Sequence, residues 1–167
     1  GTDSQVWEEE LRLAEVAADS GFDCLWSAEH HFNDYSFVPD NIQLMTHLAT
    51  KHPDIDVGTA AVILPWHNPL RVAENAAVLD LLSKGRLRMG FGRGLARREF
   101  EVFQVSMDES RERFDEAAPA TVEWYASLTP NAEFVVYEHS AHMAYWEETD
   151  RYISVVSDFL RRADQGA

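Results

Sequence analysis

The 167-residue chain has a single cysteine, Cys24. No disulfide can form within it, and a reducing compartment is the default expectation. Cations are scarce: 14 Lys and Arg stand against 29 Asp and Glu, a formal net charge of -15. That balance disfavours nucleic acid and anionic membrane as partners, because both reward Lys and Arg. Long apolar runs are missing too, and none approaches the roughly 18 residues of a membrane span. The opening stretch GTDSQVWEEELRLAE is acidic and has no signal-peptide core, so a cytoplasmic location is expected. Internal repeats and low-complexity tracts do not stand out. What is present is a composition of 46% hydrophobic and 26% charged residues, that of a globular chain with a core.

Ser4 is suited to cap a helix running to about Ser20, with apolar Val6, Leu11, Leu13, Val16 and Ala17, and Gly21 stops it. FDCLWS has the length of a strand. Asp40 caps NIQLMTHLAT, which ends before His52-Pro53. IDVGTAAVIL is β-branched and uninterrupted, as a strand buried on both faces should be. LRVAENAAVLDLLS places Leu70, Ala73, Ala77 and Leu81 on one helical stripe. Lys84-Gly85 turns the chain into RLRMGFG, another strand, and RGLARREFEVFQ carries a loop into a helix. Pro119 suits the first turn of a helix PATVEWYASL. EFVVY reads as a strand, and Thr149 caps a final amphipathic helix, TDRYISVVSDFLRR. Helices alternating with short apolar strands imply an α/β fold, a parallel sheet covered by helices.

Ligands of such sheets bind outside the carboxyl ends of the strands. FDCLWS is followed by Glu29, His30 and His31, and IDVGTAAVIL by Trp66 and His67. RLRMGFG is followed by Arg93 and Gly94, and EFVVY by Glu138, His139 and His142. Titratable and aromatic groups thus gather on one rim, although loops are polar anyway. Arg93 among Gly90, Gly92 and Gly94, between a strand and a helix, suits a phosphate; a tight turn with a surface arginine is the plainer reading. A neutral imidazole near pH 7 carries protons or holds an intermediate by hydrogen bond, and a satisfied structural histidine fits EHHF equally well. Adjacent histidines share no face on a strand, and no carboxylate-rich set with metal spacing accompanies them, so no metal is expected. Small residues at the end of GTAAVIL let a flat ring approach the backbone, or let a helix pack closely on the sheet.

In order and spacing, AADSGFDCLWSAEHHF, DVGTAAVILPWHNPLRVAENAAVLDLLSKGRLRMGFGRG, and REFEVF followed by ESRERFDEA resemble the luciferase-like flavin-dependent monooxygenases, from about Trp7 to Ala117. The resemblance implies a segment of a (β/α)8 TIM barrel with reduced flavin at the carboxyl ends of the strands. The flavin would be FMN, with a deazaflavin as the alternative, and oxygen from O2 would be inserted into a small-molecule substrate. Residue by residue, it places His30 beside flavin and substrate and His31 next to it in the same motif, both as candidate catalytic groups. It places Ala60 and Ala61 at a small, often cis, peptide under the isoalloxazine, and Arg93 and Gly94 in the loop that helps hold the flavin phosphate.

The remainder, from RFDEAAPATVEWYASL to the last helix, is similar to the C-terminal end of an α/β-hydrolase of the proline iminopeptidase type. That resemblance matches Asp115 and His142 to two triad members, with Ala141 where glycine is common. No G-x-S-x-G serine exists in the chain, and a base with its orienter but no nucleophile does not hydrolyse esters or peptides by that mechanism. The expected organisation is a partial luciferase-like barrel segment over 1–112, continued by a hydrolase-like βα tail over 113–167, the two merging into one domain or docking loosely. Three strands cannot close a barrel. An open parallel sheet of about four strands with flanking helices is expected instead, EFVVY being the fourth. Its exposed edge would serve a homodimer. A flavin-dependent oxidoreductase of doubtful activity is the leading functional expectation, and a non-catalytic chimeric α/β module is the alternative.

Overall fold

The structure, a computed structural model, describes residues 1–34, 36, 38–128 and 148–164, with side chains 159, 160, 163 and 164 excepted. The chain divides into two compact units, Gly1–Thr129 and Pro130–Ala167.

In the first unit, helix α1 (Asp3–Asp19) begins behind Thr2 rather than Ser4. The Thr2 hydroxyl accepts the Gln5 N–H while the Gln5 side chain accepts the Thr2 N–H, so two orphan donors are satisfied at once. Strand β1 (Cys24–Ser27) follows, then α2 (Asn41–Lys51), capped as expected by Asp40, which accepts the Gln43 N–H at 2.8 Å. Arg86 closes the other end of α2 by donating to the carbonyls of Ala49, Ile55 and His52.

IDVGTAAVIL is two strands and not one. β2 (Asp56–Thr59) and β3 (Val62–Ile63) are separated at Ala60-Ala61, whose peptide bond is cis. RLRMGFG likewise divides into β4 (Leu87–Arg88) and β5 (Phe91–Gly92). β1, β2 and β4 form a parallel three-stranded sheet in that order, and β3 pairs with β5, also parallel. At the break the Thr59 hydroxyl bonds both the N–H and the carbonyl of Gly90, each at 3.1 Å, so a side chain replaces a ladder partner. A Cβ on Gly90 would stand 2.5 Å from the Thr59 carbonyl oxygen, a clash with backbone that glycine alone avoids. The apolar pattern does not register this break because both halves of each run stay apolar. The expected fourth strand, 133–137, lies outside the described residues.

Register sets Leu25, Val57 and Leu87 side by side on one face of the sheet. Val57 and Leu87 join Met45 and Leu48 of α2 and Val72, Ala76 and Leu79 of α3 (Pro69–Ser83) in the core. The buried stripe of α3 differs from the expected one. Ala73 and Ala77 are buried, but Leu70 is 50% and Leu81 66% exposed. The buried face instead carries Val72 and Leu79 with Ala73, Ala76 and Ala77, because α3 packs against α2 and the helix Ser110–Leu128, and the alanines let helix axes approach.

A 3-10 turn (Leu64–Trp66) links β3 to α3, and α4 (Arg97–Phe103) follows β5. α5 runs unbroken from Ser110 to Leu128 with Pro119 inside it. A helical proline deprives the carbonyl four residues back of its donor, here Asp115, and both residues lie on the exposed side where water can serve. The expected boundary between 112 and 113 therefore falls within a continuous helix. In the second unit, α6 (Thr149–Asp164) carries Asp150 in its first turn and Arg161 and Arg162 in its last, complementing the helix dipole. Among the described residues no helix is long and apolar enough to cross a membrane.

Candidate active site

The loop after β1 delivers Glu29, His30 and His31 to the carboxyl rim, and two buried carboxylates organise them. Glu29 is 3% exposed. Its Oε1 lies 2.8 Å from His31 Nε2 and 2.7 Å from His67 Nε2, and its Oε2 accepts the Ile63 N–H at 2.8 Å. One carboxylate thus ties the end of β1 to β3 and to the residue after the 3-10 turn. A carboxylate oxygen accepts and does not donate, so both rings present Nε2–H to it. Burial pulls the pKa of His67 down. The hydrogen bond and charge of Glu29, with the charge of Asp40, outweigh that and hold it above the ordinary histidine value.

Glu99, on α4, is 1% exposed. Its Oε1 accepts the backbone N–H of His31 at 2.7 Å and meets His30 Nδ1 at 3.2 Å. Among the described residues its Oε2 is buried with no hydrogen-bond partner. The His31 ring is boxed by aromatics, with Phe103 edge-on at 4.8 Å and Trp66 edge-on at 5.4 Å, and Trp66 stacks on Phe103. The neighbouring histidines therefore differ: the side chain of His31 is 8% exposed and that of His30 is 27%.

The ends of β1 and β2 form a shallow floor. The Ala60 N–H donates to the Ser27 carbonyl, and the Asn41 amide, from α2, donates to the carbonyls of Ser27 and Ala61 at 3.3 and 3.1 Å. Asn41 is buried, Ala60 exposed and Ala61 half-buried. A Cβ on Gly92 would meet Ile63 Cδ1 at 2.9 Å and Ala61 Cβ at 3.2 Å, so the floor stays low there. Gly94 has φ +86°, and Arg93 before it is exposed, with no hydrogen bond or ion pair among the described residues. Backbone and methyl groups at Ala60-Ala61, a partly exposed imidazole at His30 and an exposed guanidinium at Arg93 are of the chemical types that a flat ring with an anionic tail engages.

The structure thus ties His30 and His31 together through Glu99 and places Ala60-Ala61 at the break between β2 and β3. Asp115 is exposed on α5, and His142 lies outside the described residues, so no Asp–His pairing is described. Sequence reasoning missed Glu99 and Asn41, and it saw Glu29 and His67 only as rim residues. REFEVF held Glu99 in plain view, but no spacing rule connects it to a histidine 69 positions earlier.

The luciferase-like monooxygenase family model matches residues 1–154. The chain belongs to that family. The matched stretch runs through the residues read from sequence as the start of a hydrolase-like tail. Among relatives of this luciferase-like chain, the alkanal monooxygenase alpha chain of Photorhabdus laumondii is 35% identical over 108 residues, 65% of this chain and 30% of that protein. The oxygenase component of a flavin-dependent trigonelline monooxygenase from Acinetobacter baylyi is 31% identical over 136 residues, 80% of this chain and 38% of that protein. Among solved structures, the monooxygenase RslO1 from Streptomyces bottropensis superposes with a TM-score of 0.72 at 39% identity, covering 84% of this chain and 42% of that one. The chain therefore spans about a third of the length of the curated relatives it matches.

Proposed function

We propose that this chain carries the flavin-binding and catalytic rim of a luciferase-like flavin-dependent monooxygenase, with FMN as the flavin and a small molecule as the substrate. The observation that carries the reading is the partly exposed imidazole of His30, held by buried Glu99 on the rim that also carries the Ala60-Ala61 floor and the uncommitted Arg93. In this reading Ala60 and Ala61 lie under the isoalloxazine, where larger side chains would lift it. Arg93 and the backbone at Gly94 hold the phosphate, the guanidinium offering paired donors to its oxygens. His30 stands beside ring and substrate and holds or moves a proton at its imidazole. His31, enclosed by Trp66 and Phe103 and bonded to Glu29, positions its neighbour rather than reacting. When bound, reduced flavin would supply the two electrons that reduce one atom of O2 to water while the other atom is inserted into the substrate. The name of the trigonelline relative, which states flavin dependence, supports a flavin cofactor.

A second reading is a rim that binds flavin without turning substrate over. It is favoured by the exposure of Ala60, since a site open to solvent does not exclude water from a reaction. Among the described residues β1 and β4 are the outer strands of their sheet. A homodimer through such an edge belongs to the same proposal, and light scattering that shows only monomer removes it. Hydrolysis through Asp115 and His142 is not proposed, since the chain offers no nucleophile serine elbow.

Titration with oxidised and reduced FMN, read by flavin fluorescence and by Tm, tests the proposal. A saturable rise in Tm is expected, because a ligand that binds only the folded chain stabilises it in proportion to ln(1 + [L]/Kd). Arg93→Ala should weaken FMN binding by about tenfold, the loss of one charged hydrogen-bonding partner. A deazaflavin run in parallel distinguishes the two cofactors. A cooperative melt that no flavin shifts overturns the reading. Oxygen consumption by flavin-loaded protein then separates turnover from binding alone.

A further inference from the structure

We propose that Glu99 is a positioning residue that fixes His30 as the Nδ1–H tautomer, opposite to the Nε2–H tautomer that Glu29 imposes on the adjacent His31. This deepens the reading of His30 as the proton-handling group of the flavin site and rests on it. The geometry is direct. Glu99 Oε1 lies 3.2 Å from His30 Nδ1, whereas Glu29 Oε1 lies 2.8 Å from His31 Nε2. A carboxylate oxygen accepts, so each ring must carry its proton on the nitrogen that faces the carboxylate. The other nitrogen then holds the lone pair. For His30 that is Nε2, the atom farther from the backbone and the longer-reaching acceptor.

The environment of Glu99 argues against a purely structural task. Its only firm backbone partner is the His31 N–H, at 2.7 Å, and a neutral amide oxygen would serve that donor as well. Among the described residues its Oε2 is buried without a partner, an arrangement that costs stability. By contrast, both oxygens of Glu29 are used. A buried charge kept half-satisfied beside a partly exposed imidazole makes sense where the charge acts on that imidazole.

The test is a two-bond 1H–15N correlation spectrum of the flavin-free protein, labelled with 15N-histidine and recorded where the rings are neutral. His30 is assigned by the signal lost in His30→Gln and His31 by the signal lost in His31→Gln. In the parent, His30 should show protonated Nδ1 and bare Nε2, and His31 the reverse pattern. A parent His30 carrying its proton on Nε2 overturns the proposal without any variant. In Glu99→Gln the ratio of the two His30 tautomers should fall by about tenfold, since a hydrogen bond to a charged group is roughly twice as strong as a neutral one. In Glu99→Ala the Nδ1–H share of His30 should fall further still, because no acceptor is left at that position. The His31 signals should stay in place in Glu99→Gln, which keeps an acceptor for the backbone N–H. An unchanged His30 in both variants, or a His31 that moves as far as His30, means that Glu99 merely braces the loop. Because no flavin is present, a failed FMN titration leaves this result intact, and a wrong tautomer leaves the FMN titration intact.

Discussion

Glu29 and Glu99 are both buried carboxylates facing adjacent histidines, and they are employed differently. Glu29 uses two oxygens on three donors from three places in the chain, His31, His67 and Ile63. Glu99 uses one oxygen on two donors from one loop and leaves the other bare. A saturated hub is what a fold requires, because every stranded donor costs free energy. A half-satisfied hub breaks that rule, and such departures collect where a site needs them. The pair separates a rim residue that builds the scaffold from one proposed to position His30.

The largest expected effect breaks the first hub. Glu29→Ala leaves three donors without their acceptor and should cost about 3–5 kcal/mol in urea unfolding, the usual cost of removing one partner from a buried charged network. Glu99→Ala should cost clearly less, and equal losses would erase the distinction between the two. Next comes the junction on which both clusters stand. Gly90→Ala drives a Cβ to 2.5 Å from the Thr59 carbonyl oxygen, backbone that cannot swing away. A loss of about 1–3 kcal/mol is expected from such overpacking, read from the denaturation midpoint. Glu99→Gln should sharpen the comparison with a change of about 1 kcal/mol or less, because the amide oxygen still accepts the His31 N–H.

The smallest effect is a pH dependence at His67, on the Glu29 side. The pKa of His67 is raised above the ordinary 6.5 when folded. Its contribution is therefore fully present below that value and is lost as pH rises through the higher folded one. With about a third of its side chain exposed, His67 makes a modest, salt-sensitive contribution. Stability measured from pH 5.5 to 8 should fall slightly more steeply in the parent than in His67→Gln, as an order-of-magnitude expectation for one screened ion pair. Identical slopes would remove His67 from the Glu29 hub.

Much of the framework was legible before any coordinates. Asp40 as a cap, Gly21 as a stop and FDCLWS as a strand follow from local chemistry that the fold does not overrule. The failures have local causes. Pro119 looked like a helix start because proline favours first turns, yet a proline on an exposed helix face leaves its orphaned carbonyl to water. The stripe expected on α3 followed helical spacing through Leu70, Ala73, Ala77 and Leu81, whereas packing on two neighbouring helices buries Val72, Ala73, Ala76, Ala77 and Leu79 and leaves Leu70 and Leu81 exposed.

By itself the sequence determined the alternation of helix and apolar strand, the rim on which polar groups collect, and the motifs that carry the family. These are properties of short windows, where periodicity and composition act directly. Tertiary structure alone decided that the two long apolar runs break at Thr59 and Gly90, and that His30 and His31 part company in burial and in bonding. The reason is range. The groups that settle those questions, Glu99 for His30, Ile63 and His67 for Glu29, and Gly90 for Thr59, stand 69, 34, 38 and 31 positions away. Pairing across such distances is fixed by how the elements pack.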